Sequence, residues 1–324
     1  MSRMREFGNQ LYSGERSIDF VGKRKIWYIV AVVAVVLAIV LPIIRGGFNF
    51  GIEFRGGSEF RLTNSQGFSQ NIAVDAVQSV VPLAQVSVTS VGVDDLRIQT
   101  QQLEDVESEA VRVALAEAYG VESSQVASSF IGPNWGAEIT RQALIGLAAF
   151  LVIVSILMAF YFRSWKMSVA ALVALAHDLV FTLGVYAGVG FEVTPAAVIG
   201  FLTILAYSLY DTVVVFDKVR ENTLDIELSE TRTFGEAVNL AVNQTLVRSI
   251  NTSVVSVLPV AAILFIGSIL LGAGTLRDIS LALFVGTIVG TYSSIFLAAP
   301  VYVHLREREP ALKAAAERVM AARQ

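Results

Sequence analysis

The chain has 324 residues, 54% of them hydrophobic and only 16% charged, and carries a net charge of −4. With a mean hydropathy of +0.63, this is the composition of a membrane protein and not of a soluble domain. It contains no cysteine, which excludes disulfides and thiolate metal sites. The slightly acidic balance, without any basic–aromatic stripe, gives no sign of nucleic-acid binding.

Residues 1–25 are basic, with Arg3, Arg5, Arg16, Lys23, Arg24 and Lys25, and read as a cytoplasmic N-terminal segment. A first apolar span follows at 26–44. It is longer than the ~7–15-residue core of a signal peptide and no small-residue cleavage site follows it, so it is expected to be retained. Residues 45–138 read as a small α+β domain outside the membrane. Phe60–Leu62 is a strand after Gly56-Gly57, 71–80 has helical spacing, and 84–91 alternates as a strand. A turn at Val93-Asp94-Asp95 leads into a strand at 96–100, then an amphipathic helix at 103–119 and a strand at 126–131. The order strand, helix, strand, strand, helix, strand predicts a ferredoxin-like sandwich. A unit of this size supports one modest core. It shows no Ser/His/Asp set, phosphate loop or metal cluster, so neither enzymatic chemistry nor a cofactor is expected.

Residues 139–303 hold five further apolar runs, at 142–162, 167–190, 193–216, 249–271 and 279–303. Each is long enough for a bilayer core that needs ~20 residues. Arg163 and Lys166, then Lys218, Arg220 and Arg232, then Arg306, Arg308, Lys313, Arg318 and Arg323 mark alternate ends of these runs. The other links carry only Arg277. By the positive-inside rule both termini are cytoplasmic, 304–324 being a cytoplasmic tail. The fold class is thus a polytopic six-helix membrane protein with one outer α+β domain between its first two spans.

Charges within the apolar runs point to function. Asp211 sits inside the fourth, at a cost of at least ~2.5–3.5 kcal/mol unless it is paired or useful. Arg248 sits at the edge of the fifth. Each lies five or six residues from its span end, roughly 8–9 Å deep at ~1.5 Å per residue, which predicts matching heights on antiparallel neighbours. Tyr207 and Ser208 share the Asp211 face, while Thr245, Arg248, Asn251, Thr252 and Ser256 form a polar stripe opposite. The pair reads either as a carboxylate–guanidinium device that responds to protonation or as static glue between helices. His177-Asp178, near the middle of the third span, reads as a candidate proton relay or, equally, as a structural anchor. Gly286, Gly290 and Ser294, spaced by four, predict close helix packing.

Several motifs then become recognisable. Phe48-Asn49-Phe50-Gly51-Ile52-Glu53-Phe54-Arg55-Gly56-Gly57, Ile131-Gly132-Pro133-Asn134-Trp135-Gly136, Ala176-His177-Asp178, the run from Tyr207 to Asn222, and Thr245-Leu246-Val247-Arg248-Ser249 together resemble the SecD/SecF protein-export family. The length resembles its shorter SecF branch. Departures are Glu53 for the usual Asp, Tyr210 for the usual Asn, and Ala206 where Gly is common. The resemblance implies a subunit of the bacterial cytoplasmic membrane related to RND transporters. It would pair with SecD, work with the SecYEG channel and SecA, and use the proton motive force late in the export of unfolded polypeptide. It also implies that Asp211 and Arg248 are the ion-coupling residues, H+ or Na+ being the coupling ion, with a further Asp supplied by SecD. A scaffold without ion coupling and half of a small-molecule RND transporter are the competing readings.

Overall fold

The computed structural model describes residues 3–63, 69–91, 95–267 and 274–323. Helix α1 (Arg3–Ser13) is followed by a segment that laces along a later helix, and α2 (Arg24–Ile44) opens directly at the basic Lys23-Arg24-Lys25 run. The lacing is specific: Ile18 N–H and Phe20 N–H each donate at 2.8 Å, to the side-chain oxygens of Asn243 and Asn239. Those amides satisfy backbone groups that no strand or helix would.

The segment after α2 begins with a short strand β1 (Asn49–Phe50) and one helical turn, α3 (Ile52–Arg55). Then come β2 (Gly57–Leu62), α4 (Gln70–Val80), β3 (Ser87–Val91), β4 (Asp95–Thr100), α5 (Asp105–Tyr119) and β5 (Val126–Ile131). The strands make one four-stranded sheet in the order β3-β4-β2-β5, antiparallel throughout. Alternation sends Phe60, Leu62, Leu96 and Ile98 to the face where Val77, Val111 and Leu115 of the helices close the core. The strand and helix order is therefore the one the sequence predicts. The turn at Val93-Asp94-Asp95 lies mostly outside the described residues.

Five further long apolar elements follow. They are α6 (Pro133–Phe162), α7 (Trp165–Val189), α8 (Pro195–Asn222), α9 (Phe234–Ala262) with a π-helical turn at Ile263–Gly267, and α10 (Gly274–Ser293), whose axis continues through a second π-helical turn at Ser294–Ala298 into α11 (Ala299–Arg306). A strand β6 (Glu192–Val193) links α7 to α8, and α12 (Pro310–Ala322) ends the chain. With α2, the described residues thus hold six helical stretches long and apolar enough to cross a membrane. This is a multi-pass membrane protein.

Local chemistry sets the ends. Pro133 and Pro195 occupy first turns, where a missing N–H is harmless. The Thr194 hydroxyl accepts from Ala197 N–H at 3.2 Å, and Thr233 with Glu236 forms a capping box at α9. The helices outrun the apolar stretches: α6 begins at Pro133 and not 142, α8 continues past 216, and α9 begins at Phe234 and not 249. Hydropathy registers only the apolar part of a helix, while capping and propensity carry it on into water. The end of the fifth predicted span, 268–271, lies outside the described residues.

Half or more of the apolar window is buried in α7 and in the α10–α11 rod (50% and 61%) and nearly half in α8 (44%), against 17% or less in α2, α6 and α9. The centre is therefore α7, α8 and α10. Lipid offers no hydrophobic drive for helices to associate, so close backbone approach and polar contacts must hold them. On α10 a Cβ at Gly286 would sit 2.3 Å from Ile204, and one at Gly290 would sit 2.9 Å from the Ser208 Cβ. The four-residue spacing does mark close packing, against α8. Gly290→Val should therefore lower the melting temperature in detergent, overpacking costing about 1–3 kcal/mol. Gly146→Val, where an added Cβ meets nothing within 4 Å, should leave it nearly unchanged.

Candidate functional site

The space cleared by Gly290 is taken by Ser208, one of several hydroxyls gathered around two carboxylates. Asp178 of α7 and Asp211 of α8 are both buried, 2% and 6% exposed. Asp178 Oδ2 accepts from Ser208 Oγ of α8 at 2.5 Å and from Ser293 Oγ of α10 at 2.7 Å. Asp211 Oδ1 accepts from Ser249 Oγ of α9 at 2.8 Å, and its Oδ2 accepts from Ser294 Oγ. Ser253 of α9 and Thr291 of α10 share a further hydroxyl–hydroxyl bond beside them. Four helices thus meet on two carboxylates through hydroxyl groups.

Ser293 and Ser294 are neighbours in sequence yet serve different carboxylates. Adjacent helical residues point ~100° apart, so the last residue of α10 addresses α7 and the next, the first of the π-helical turn, addresses α8. The π-helical turn starts at Ser294, and such turns recur where a helix is locally reshaped around a functional group.

His177 is buried at 7% exposure and its Nδ1 lies 3.3 Å from Asp178 Oδ1. Its Nε2 is buried without a hydrogen-bond partner among the described residues, and its ring stacks on Phe181 at 6.1 Å. His177 and Asp178 therefore meet one polar seam despite their ~100° offset, because Asp178 turns to α8 and α10 while the imidazole reaches back to it.

The predicted Asp211–Arg248 contact is not formed. Helices α8 and α9 do pack together, but the α9 residue that reaches Asp211 is Ser249, one position on. Arg248 is exposed, as is Asn251; Thr252 is half-buried. The inward face of α9 is instead Val242, Leu246, Ser249 and Ser253, with Thr245 bonded to carbonyls of its own helix. Chain of polar residue types alone misjudged the facing of α9 by one residue, because serine with a carboxylate partner is as good an inward residue as arginine. Tyr207 is half-buried with its hydroxyl enclosed and unpartnered among the described residues, and Tyr210 is 58% exposed, so it makes no inward contact.

Ser249, Ser293, Ser294, Ser253 and Thr291 were not singled out as functional beforehand. One signal was available: Ser294 continues the four-residue Gly286–Gly290 spacing, while Asp211 follows Ile204 and Ser208 at i+7 and i+3 on one face of α8.

Comparison with known proteins gives the family of the chain. The family model described as "Protein export membrane protein SecD/SecF, C-terminal" matches residues 111–308. The chain is 45% identical over its full length to the protein translocase subunit SecF of Streptomyces coelicolor, covering 86% of that protein. The chain belongs to the SecD/SecF family. A Mycobacterium tuberculosis SecF is 41% identical, with 97% of this chain and 73% of that protein covered. Among solved structures, the crystal structure of Thermus thermophilus SecDF, titled a translocon-associated membrane protein, aligns with a TM-score of 0.75 at 29% identity. The alignment covers 90% of this chain and 39% of the SecDF chain; this SecF-type chain spans about two fifths of that longer protein.

If the hydroxyls are what make burial of Asp178 tolerable, removing both should be costly. Ser208→Ala with Ser293→Ala deletes two hydrogen bonds to a charged or acidic group, each worth about 1.5–3 kcal/mol. A marked fall in melting temperature is expected, whereas Ser155→Ala, which loses only a bond to the Leu151 carbonyl of its own helix, should shift it far less.

Proposed function

We propose that this chain is a SecF-type subunit that couples proton movement across the bacterial cytoplasmic membrane to the late export of unfolded polypeptide. The observation that carries this is a pair of buried carboxylates solvated by serine hydroxyls, with no lysine or arginine in contact with either among the described residues. A static structural pair would be neutralised by a cation. A hydroxyl both donates and accepts, so it can follow a carboxyl through loss and gain of a proton. Asp211 is the ion-coupling carboxyl on this reading, with Asp178 and His177 as a relay beside it.

Arg248 takes its part from outside the chain. It stands on the face of α9 that this chain leaves uncovered, and a charge at that depth is stable only with a partner or water. A SecD subunit bringing its own carboxylate would meet it there. The fusion of SecD and SecF in the Thermus relative supports that partnership. SecYEG with SecA, the exported chain and membrane lipids complete the expected surroundings.

On the same reading both termini are cytoplasmic and residues 45–138 form a ferredoxin-like extracytoplasmic domain, its sheet order supporting that fold. Its outer strands β3 and β5 offer edges for sequence-tolerant strand addition by an emerging chain. H+ is the coupling ion on this reading, Na+ being the alternative, since a hydroxyl that both donates and accepts can stay on a carboxyl as it gains or loses a proton.

Secretion of a slow-folding reporter by wild type, Asp211→Asn and Arg248→Met, measured as the imposed proton gradient is varied, tests the proposal. Complex levels are followed in the same membranes. The variants should assemble and export at the gradient-independent rate but lose the gradient-dependent increment. Normal export across the gradient range by assembled variants would make the chain a scaffold.

A further inference from the structure

A second buried charge cluster lies where the outer sheet meets the membrane helices. Arg97 projects from β4, and only 13% of its side chain is exposed. Its Nε donates to Glu59 of β2 at 2.7 Å, its Nη1 to Glu192 of β6 at 3.1 Å, and its Nη2 lies 3.4 Å from Glu53 of α3. One guanidinium therefore joins the sheet, the turn that follows β1, and the link between α7 and α8.

The backbone makes the same connection. Strand β1 pairs in parallel with β6, Asn49 opposite Glu192 and Phe50 opposite Val193. On the other side, Gly136 of α6 lies so close to α3 that a Cβ there would be 2.6 Å from the Phe54 carbonyl oxygen. Immediately after β6 comes Thr194, whose hydroxyl caps α8 and also donates to Asp278 Oδ2 of α10 at 2.8 Å. Tyr186 of α7 donates to the Asp278 carbonyl at 2.5 Å. Helices α7, α8 and α10, which carry Asp178, Asp211, Ser208 and Ser293, thus converge at Asp278, and the α7–α8 link beside it carries Glu192, which Arg97 holds.

The cluster is not neutralised. Glu53, Glu59 and Glu192 face Arg97, with Asp278 just behind; among the described residues Arg61 reaches Glu59, at 2.7 Å, and Arg277 stacks on Phe191 and attracts Asp278. Glu53 Oε2 and Glu192 Oε1 are buried without hydrogen-bond partners among the described residues. Burial works against the charge of Glu59, but Arg97 and the hydrogen bonds from Arg61, Arg97 and Gln99 outweigh it and hold its carboxyl below the usual range. For Glu192, burial wins over the pull of Arg97 and pushes the carboxyl up. The bond inside the sheet is thus well satisfied and the bond to the helix link is not. Static glue would be expected to satisfy both, since an unpaired buried oxygen forfeits hydrogen-bond energy.

We propose that Arg97 is a positioning residue for export, transmitting displacement of α8 and α10 to the outer sheet through Glu192. The proposal rests on the ion-coupled reading above and adds to it the place where movement leaves the membrane. Arg97 belongs to the sheet through Glu59; Glu192 belongs to the helices through β6; the bond between them is the exchangeable one.

The absence of cysteine allows a direct test in the assembled complex. Spin labels at Leu83→Cys, 92% exposed beside the outer sheet, and Leu157→Cys, 61% exposed on α6, report the separation of sheet and helices. Asp211→Asn should shift that distance distribution in the labelled native chain. Glu192→Gln, which leaves the Arg97–Glu59 bond in place, should abolish the shift and the gradient-dependent part of export, as should Arg97→Gln. Arg97→Lys should restore part of each. Hydrogen exchange of β2 and β4 verifies that the sheet stays folded, and the Glu192 variant decides the matter if Arg97→Gln unfolds it. A shift that persists in Glu192→Gln overturns the transmission role alone. No shift on Asp211→Asn in the otherwise native chain overturns both this role and the coupling of the membrane site to the outer domain.

Discussion

Solvation of two carboxylates by serine hydroxyls is the constraint on which the helix bundle depends. A hydroxyl reaches only one hydrogen bond beyond its own backbone, so α8 and α10 must approach closely for Ser208, Ser293 and Ser294 to touch Asp178 and Asp211. That approach requires Gly286 and Gly290 at the crossing. It also leaves α7, α8 and α10 in the middle, with α2, α6 and α9 around them. Long basic side chains would have allowed a looser bundle at the same polarity. Short donors make packing and site inseparable.

The membrane class, the six spans, and the order of strands and helices between the first two spans were all legible from hydropathy, period and turn residues, because each is a repeating signal. Asp211 was legible too, since a lone carboxylate in an apolar run is costly enough to notice. Its immediate partners were not. Serine is common in membrane helices and carries no cost that would flag Ser249 or Ser294, whereas Arg248 drew attention by its charge alone. Which face of α9 points inward is decided by packing of Val242, Leu246 and Ser249 against neighbours distant in sequence, and no local pattern distinguishes that from a rotation of one residue. Gly286, Gly290 and Ser294 were read correctly as a packing stripe, but the third member also completes the site.

The sheet-bearing segment shows the same division. Its core follows from alternation along β2 and β4. Its attachment does not, because Arg97 and Glu192 are far apart in sequence and β6 is only two residues long. The motif that begins at Phe48 makes sense in the fold as docking chemistry: β1 pairs with β6, and Glu53 turns toward Arg97. The longer Glu in place of the family's usual Asp reaches that guanidinium from α3.

Thr194 has a mechanical consequence of its own. By capping α8 and bonding Asp278, it ties the first turn of α8 to the start of α10 with a single hydroxyl, close to where Tyr186 fastens α7 to the same residue. Three helices anchored at one level cannot slide past one another there; they can only splay or twist about it. Any rearrangement of these three helices would therefore be one of angle and not of translation at that level.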